Sequence, residues 1–355
     1  MEDTRDPPSE FSEGTDSLNR TEPSAAATSS TASPTPTRAG ADGRRIAAAF
    51  ARGSPFTAFV AAVEALIATV LLGVHLTAAP AVVALVTFAV YTVDHVADAD
   101  ADIASTPDRA LLARRYGDLL MVAAALAYGV AVALAVAGGP FALALTLLPG
   151  AFWVAYASDW LPDLGRAVGV ALASVASDDP IADRVGTGVT DGGRSRLPRL
   201  KDVLVVNSVV VATGWAAALT FLPIAFAGAA PGPVVAVVFA YFFLRSFVDA
   251  ELPNVRDVDA DAAVGVATLP VVLGVARTRK VLYCVDLLAV GAVTAAAVAG
   301  VLAWPLVGAL GLGIAASVCI TALAGRIDDA SVLGVAPDCS YLVVGVAIAG
   351  LSLVG

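Results

Sequence analysis

"PAVVALVTFAVYTVDHVADADAD", residues 80–102, decides how the chain is read. Its first part, 80–92, carries no charge and suits a lipid-spanning helix. Its second part places Asp94, Asp98, Asp100 and Asp102 directly behind that apolar run. The stretch therefore predicts a membrane span that ends in a cluster of carboxylates. The rest of the sequence says what both halves are for.

Composition supports the membrane reading. Of 355 residues, 58% are hydrophobic and 15% charged, whereas soluble domains run at about 45–50% apolar and about 25% charged. The net charge of −10 speaks against nucleic acid as a partner. Cys284, Cys319 and Cys339 are scattered without a CxxC pair, so neither a zinc site nor a disulfide framework is expected.

Apolar stretches predict spans near 55–76, 79–97, 118–137, 140–158, 203–225, 232–250, 281–302, 305–325 and 339–355. The expected fold is all-α, an integral membrane bundle of about nine transmembrane helices. The links alternate. One set is short and uncharged; the other, at 94–117, 159–202, 249–280 and 326–338, is long and charged. All 21 Arg and Lys residues fall in the second set, at its borders or ahead of the first span. By the positive-inside rule that side is cytoplasmic, in a multi-pass protein of the cell membrane. In this count Arg245 belongs to the border of the third charged loop, and Asp286 to the headgroup level of the seventh span. Glu64 lies within the first span, facing either a cavity or the interface.

Residues 1–45 are rich in Ser, Thr, Pro and Ala and predict a disordered cytoplasmic tail, leaving 46–355 as the membrane domain. The 159–202 loop is long for a connection and reads as a tolerated insertion.

Asp94, Asp98 and Asp102 follow i, i+4, i+8 spacing, which places them on one helix face. Like charges at that spacing repel, so the pattern suits either a bound hard cation or a solvated acidic loop. A second cluster, "RSFVDAELPNVRDVDADAAVGVATLPVVLG" (245–274), repeats the spacing with Asp257 and Asp261 after the sixth span. Two acidic clusters on one membrane side could share a pair of cations bridged by a diphosphate. Asn254, three residues before Asp257, reads as a ligand or a cap.

These segments resemble the UbiA superfamily of intramembrane prenyltransferases. "DHVADADAD" (94–102) is similar to the family's NDxxDxxxD motif after its second helix. Asp94 stands at the Asn place and His95 at the first Asp place; Asp98 and Asp102 hold the other two. "RDVDAD" (256–261) resembles the second motif, with Asp259-Ala260-Asp261 in place of EGD. "GVATLPVVLG" (265–274) resembles the GxxTLPVxLG stretch, and "LPRLKDVLVVNSVVVATGW" (197–215) the entry to helix five. Imidazole suits softer metals than magnesium, so either Asp94 replaces the missing carboxylate or metal binding is weaker than in the family.

The resemblance implies Mg2+-dependent transfer of a prenyl group from an isoprenoid diphosphate to a lipophilic or aromatic acceptor within the membrane. It implies Asp94, Asp98, Asp102, Asp257 and Asp261 as metal ligands, of which Asp98, Asp102, Asp257 and Asp261 carry the catalytic role. Lys201, Arg109, Arg256 and Asn254 are the expected substrate-binding residues, with Arg245 and Arg199 as weaker candidates for the diphosphate. Tyr91, Tyr156, Tyr241, Phe242 and Phe243 are aromatic candidates for stabilising a carbocation, although interface anchoring or core packing explains each as well. Competing expectations are a divalent-cation binding or transport protein, marked by carboxylates inside the spans, and a non-catalytic homologue. The identity of the acceptor is not legible in the residues.

Overall fold

The computed structural model describes residues 53–100, 107–157, 206–264, 268–327 and 330–354. The tail at 1–45, the whole 159–202 loop with Arg199 and Lys201, and Asp102 lie outside these residues. The described elements are α1 (Ser54–Leu72), α2 (Ala79–Ala97), α3 (Pro107–Ala137), α4 (Gly139–Ala157), α5 (Val206–Ala227), α6 (Pro233–Arg256), the short α7 (Val258–Val264) and α8 (Leu269–Leu273), then α9 (Val275–Val298), α10 (Trp304–Leu323) and α11 (Ala330–Val354). The chain is an all-α membrane bundle. Among the described residues, eight helices are long and apolar enough to cross a bilayer. The ninth long helix, α4, is apolar throughout and carries Pro149 within it.

Local sequence sets the helix ends. Pro stands at the first or second position of α1, α2, α6 and α10, where its missing N–H is harmless. Gly73 closes α1 in the left-handed region, φ 65°, and its N–H reaches the carbonyls of Thr69 and Val70. Several helices run beyond the apolar windows that announced them. α6 continues to Arg256, α9 begins at Val275 and α11 at Ala330. The segment 107–117, expected as loop, is the foot of α3, bent at Tyr116 (φ −123°, ψ 18°) where the charged turns give way to the apolar span. Hydropathy marks where lipid ends, whereas the hydrogen-bond ladder continues into water.

Packing follows membrane rules. Small residues let the helices approach, and large aliphatic ones turn outward. Ala61, Ala65, Ala68, Leu219, Phe242, Ile314 and Val344 lie in the main core, while Leu126, Leu287 and Val346 are exposed on the outside. Gly138, between α3 and α4, illustrates the constraint. A Cβ there would sit 2.7 Å from that of Ala142 and 2.9 Å from the Phe226 ring. Gly138→Val is expected to cost about 1–3 kcal/mol by overpacking, read as a lowered unfolding midpoint in detergent.

The same contact fixes helix direction. α3 leaves the face where α2 ends and runs to the opposite face at Gly138. Phe226, near the end of α5, packs beside Gly138, so α5 ends on that opposite face. α6 starts there after a short link and returns. The C-terminal ends of α2 and α6 therefore share one face. Asp94 and Asp98 end α2; Asp257 and Asp261 follow α6.

Candidate active site

The first acidic segment is the last turn of α2. Asp98 ends the helix and donates its N–H to the carbonyl of Asp94 at 2.9 Å. Asp94 and Asp98 are exposed. His95 is used structurally. Its Nδ1 lies 3.1 Å from Ser54 Oγ and joins the start of α1 to the end of α2. Its ring meets Tyr91 edge-on at 6.1 Å between centroids. Asp100 pairs loosely with Arg114 at 3.6 Å, both side chains being exposed.

The second segment is more tightly built. Asp257 ends α6, with its N–H on Pro253 O at 3.0 Å, and its carbonyl receives the Asp261 N–H at 2.8 Å. Asp257 and Asp261 are thus one helical turn apart on a rigid corner. Arg256 grips Asp257 through two hydrogen bonds, the Nε one at 2.7 Å. Thr268 Oγ1 donates to Asp261 Oδ2 at 3.3 Å. Asn254 donates to the buried Glu251 at 3.1 Å, so it supports the last turn of α6. Gly334 at the start of α11 lies close to Arg256: a Cβ there would stand 3.3 Å from its Nη1. Val255, Val275 and Gly325 bring the ends of α6 and α10 and the start of α9 together on this face.

Partial burial raises the Asp261 carboxyl above the usual carboxylate range. Asp257 adds to the shift, while the Thr268 hydrogen bond and Arg256 oppose it. A group raised in this way binds a proton at pH values where an ordinary aspartate has lost it. Any ligand that needs an ionised Asp261 should therefore bind less well as pH falls through that raised value. Asp257→Asn removes a repelling neighbour and should move the loss to lower pH, read by titrating ligand binding against pH.

Among the described residues, no group of three or more His, Cys, Asp or Glu side chains gathers closely enough to enclose a metal ion. Arg109 is half-buried in the first turns of α3.

Below this face lies a polar interior that the sequence reading placed wrongly. Arg245 is 1% exposed and sits inside the bundle, away from the charged-loop border. Asp286 is also 1% exposed and is no headgroup residue: its Oδ1 accepts from Arg245 Nη1 at 3.0 Å. Ser317 bridges the two, receiving from Arg245 and donating to Asp286 Oδ2 at 3.2 Å. Arg245 Nη2 reaches Ser340 Oγ at 2.8 Å and Asp249 Oδ1 at 3.4 Å. Tyr341 donates to Asp249 Oδ2 at 2.7 Å, and its ring centre lies 5.4 Å from the guanidinium. One cation thus joins α6, α9, α10 and α11. Glu64 on α1 is buried and accepts from Trp215 Nε1 of α5 at 2.8 Å. The signal available in the sequence was the i, i+4 pair Arg245 and Asp249 within an apolar helix, together with Asp286 inside a later one.

Residues 197–332 match the model of the UbiA prenyltransferase family. The resemblance to UbiA is thereby shown for that segment. It contains α5 to α10, the second acidic segment and, of the interior cluster, Arg245, Asp249, Asp286 and Ser317; Ser340 and Tyr341, and α1 to α4 with the first acidic segment, lie outside the UbiA match. A solved structure described as a digeranylgeranylglyceryl phosphate synthase in membranes is similar over 86% of this chain and 97% of its own, at 12% identity and a TM-score of 0.50. At that identity the likeness is one of fold, and it covers most of the chain. No curated protein matches.

Proposed function

We propose that the chain transfers a prenyl group from an isoprenoid diphosphate to a lipophilic or aromatic acceptor inside the membrane, with Mg2+ as cofactor. The observation that carries this reading is the placement of two carboxylate-bearing helix ends on one face of an apolar bundle. The family match over 197–332 supports the same chemistry, as does the activity named for the neighbour of like fold.

The donor set suits a hard divalent ion. Mg2+ is commonly held by one or two carboxylates, with water and substrate phosphate oxygens completing its shell. Asp94 and Asp98 on one segment and Asp257 and Asp261 on the other provide such pairs, and Asp102 would add a further oxygen. That mode of binding requires no three-ligand cage, in keeping with the described residues. When bound, Mg2+ supplies positive charge that stabilises the departing diphosphate. Arg256, Arg109 and Lys201 are the side chains assigned to phosphate oxygens. Asn254 holds the α6 corner through Glu251 and acts by positioning. The apolar interior keeps water from the allylic cation. The face carrying both segments is assigned to the cytoplasm, because Arg109, Arg114, Arg115, Arg256, Arg277, Arg279, Lys280 and Arg326 all flank helix ends there.

Glu64, Asp249, Asp286 and Asp338 lie within spans, which favours a second reading, passage of a divalent cation. Arg245 weighs against it by holding Asp286 and Asp249. The test is to incubate membranes with labelled geranylgeranyl diphosphate and a panel of acceptors. Mg2+-dependent product that EDTA abolishes is expected. Metal binding without diphosphate binding would support the transporter, and binding of neither would support a non-catalytic homologue.

A further inference from the structure

α3 is longer than a bilayer requires, and the surplus lies at its start. Its span runs from Arg109 to Ala137, 29 residues, where about 20 suffice. Tyr116 bends the helix within that span. From the bend to Ala137 the helix rises about 32 Å, against about 30 Å for a hydrocarbon core. With Ala137 at the far boundary, the bend stands at headgroup level. It opens a cleft of about 290 Å³, lined by residues 114–119.

The cleft presents two exposed guanidinium groups. Arg115 lies over the Tyr116 ring, 5.3 Å from its centre, which steadies it beside the opening. Among the described residues no carboxylate pairs with Arg115. The exposed Arg114–Asp100 contact is long, contributes little in water and yields to a stronger partner. Asp118 also borders the cleft, so Arg114, Arg115 and Asp118 together leave it one net positive charge. That charge complements one phosphodiester, whose oxygens suit the paired N–H groups of arginine. Apolar side chains flank the pair along the helix. Leu111, one turn before Arg115, is exposed. Leu119, Val122, Leu126 and Val130 form an exposed stripe at helical spacing toward the middle of the span. Guanidinium groups between two such apolar surfaces sit where headgroups meet acyl chains.

We propose that the α3 bend binds one anionic phospholipid, whose phosphodiester accepts hydrogen bonds from Arg114 and Arg115 while an acyl chain lies along Leu119, Val122 and Leu126. A choline headgroup brings an ammonium against the same guanidinium pair and is disfavoured. The lipid site is distinct from the two acidic segments and does not depend on prenyl transfer. It adjoins the first of them, since a Cβ on Gly117 would stand 3.6 Å from Val96 Cγ1 of α2.

The full-length protein in detergent micelles is titrated with phosphatidylglycerol or phosphatidylcholine of identical acyl chains, at about 150 mM salt. Native mass spectrometry counts the lipids retained, and circular dichroism checks the fold of each variant. The first phosphatidylglycerol is expected to bind at least about tenfold more tightly than phosphatidylcholine. Arg114→Gln with Arg115→Gln should bring that ratio to within about twofold of unity, and Arg115→Gln alone should give an intermediate value. Arg277→Gln with Lys280→Gln removes equal charge from the start of α9 and should leave the ratio above about fivefold. Equal binding of the two lipids by wild type overturns the proposal. So does a ratio unmoved by the changes at Arg114 and Arg115, or one lowered as far by the α9 pair. Inorganic phosphate and glycerophosphoglycerol, the headgroup without chains, should not displace the bound lipid at millimolar concentration. Displacement by either would show a site for a free anion and overturn the assignment to a lipid.

Discussion

Asp261→Asn and Asp98→Asn should each lower prenyl transfer by about a hundredfold or more while leaving a folded protein. The amide keeps the shape of the carboxyl and its oxygen can still accept from Thr268, so the corner after α6 should persist. What disappears is the negative charge that a metal–diphosphate complex requires. Asp118→Asn is the control, an exposed carboxylate on α3 outside the proposed site, and should leave turnover within about twofold. Measurement of labelled product, with circular dichroism to verify folding, decides the matter. Full turnover by either site variant would remove the corresponding acidic segment from the mechanism.

The second large effect is on stability. Arg245→Leu leaves Asp286 and Asp249 within the bundle without their cation, and Ser317 and Ser340 without their shared donor. Removing one partner of a buried ion pair typically costs about 3–5 kcal/mol. The double variant Arg245→Leu with Asp286→Leu should recover part of that loss, because a well-packed apolar pair often matches a buried ionic one. Unfolding midpoints in mixed detergent micelles test both. A single variant within about 1 kcal/mol of wild type would show that the cluster is hydrated and weakly coupled.

The sequence was most readable where one physical rule acted alone. Long apolar runs gave the bundle, and the spacing of Asp257 and Asp261 gave the carboxylate pair one turn apart. Helix ends were less readable, since Pro107–Tyr116, Asn254 and Val275–Lys280 remain helical in polar surroundings that hydropathy scores as loop. Partnerships over long separations were not readable at all. Ser54 and His95 stand 41 residues apart, as do Arg245 and Asp286, and Arg245 reaches Ser340 across 95. Each such residue looks like an isolated polar intrusion until the packing supplies its companion. Asp102 and Lys201 fall outside the described residues, so their part in the site rests on the motif resemblance.

The Arg245 cluster also has a consequence for biogenesis. Ribosomes deliver α6 well before Asp286, Ser317 and Ser340 exist, so a nascent α6 enters the translocon with Asp249 as the one cluster partner of Arg245 on the same helix. Settling of that guanidinium in lipid awaits the final hairpin, which makes α11 a late checkpoint. Chains truncated before Ser340 should remain exposed to quality-control proteolysis, even though their apolar segments have all the length needed for insertion.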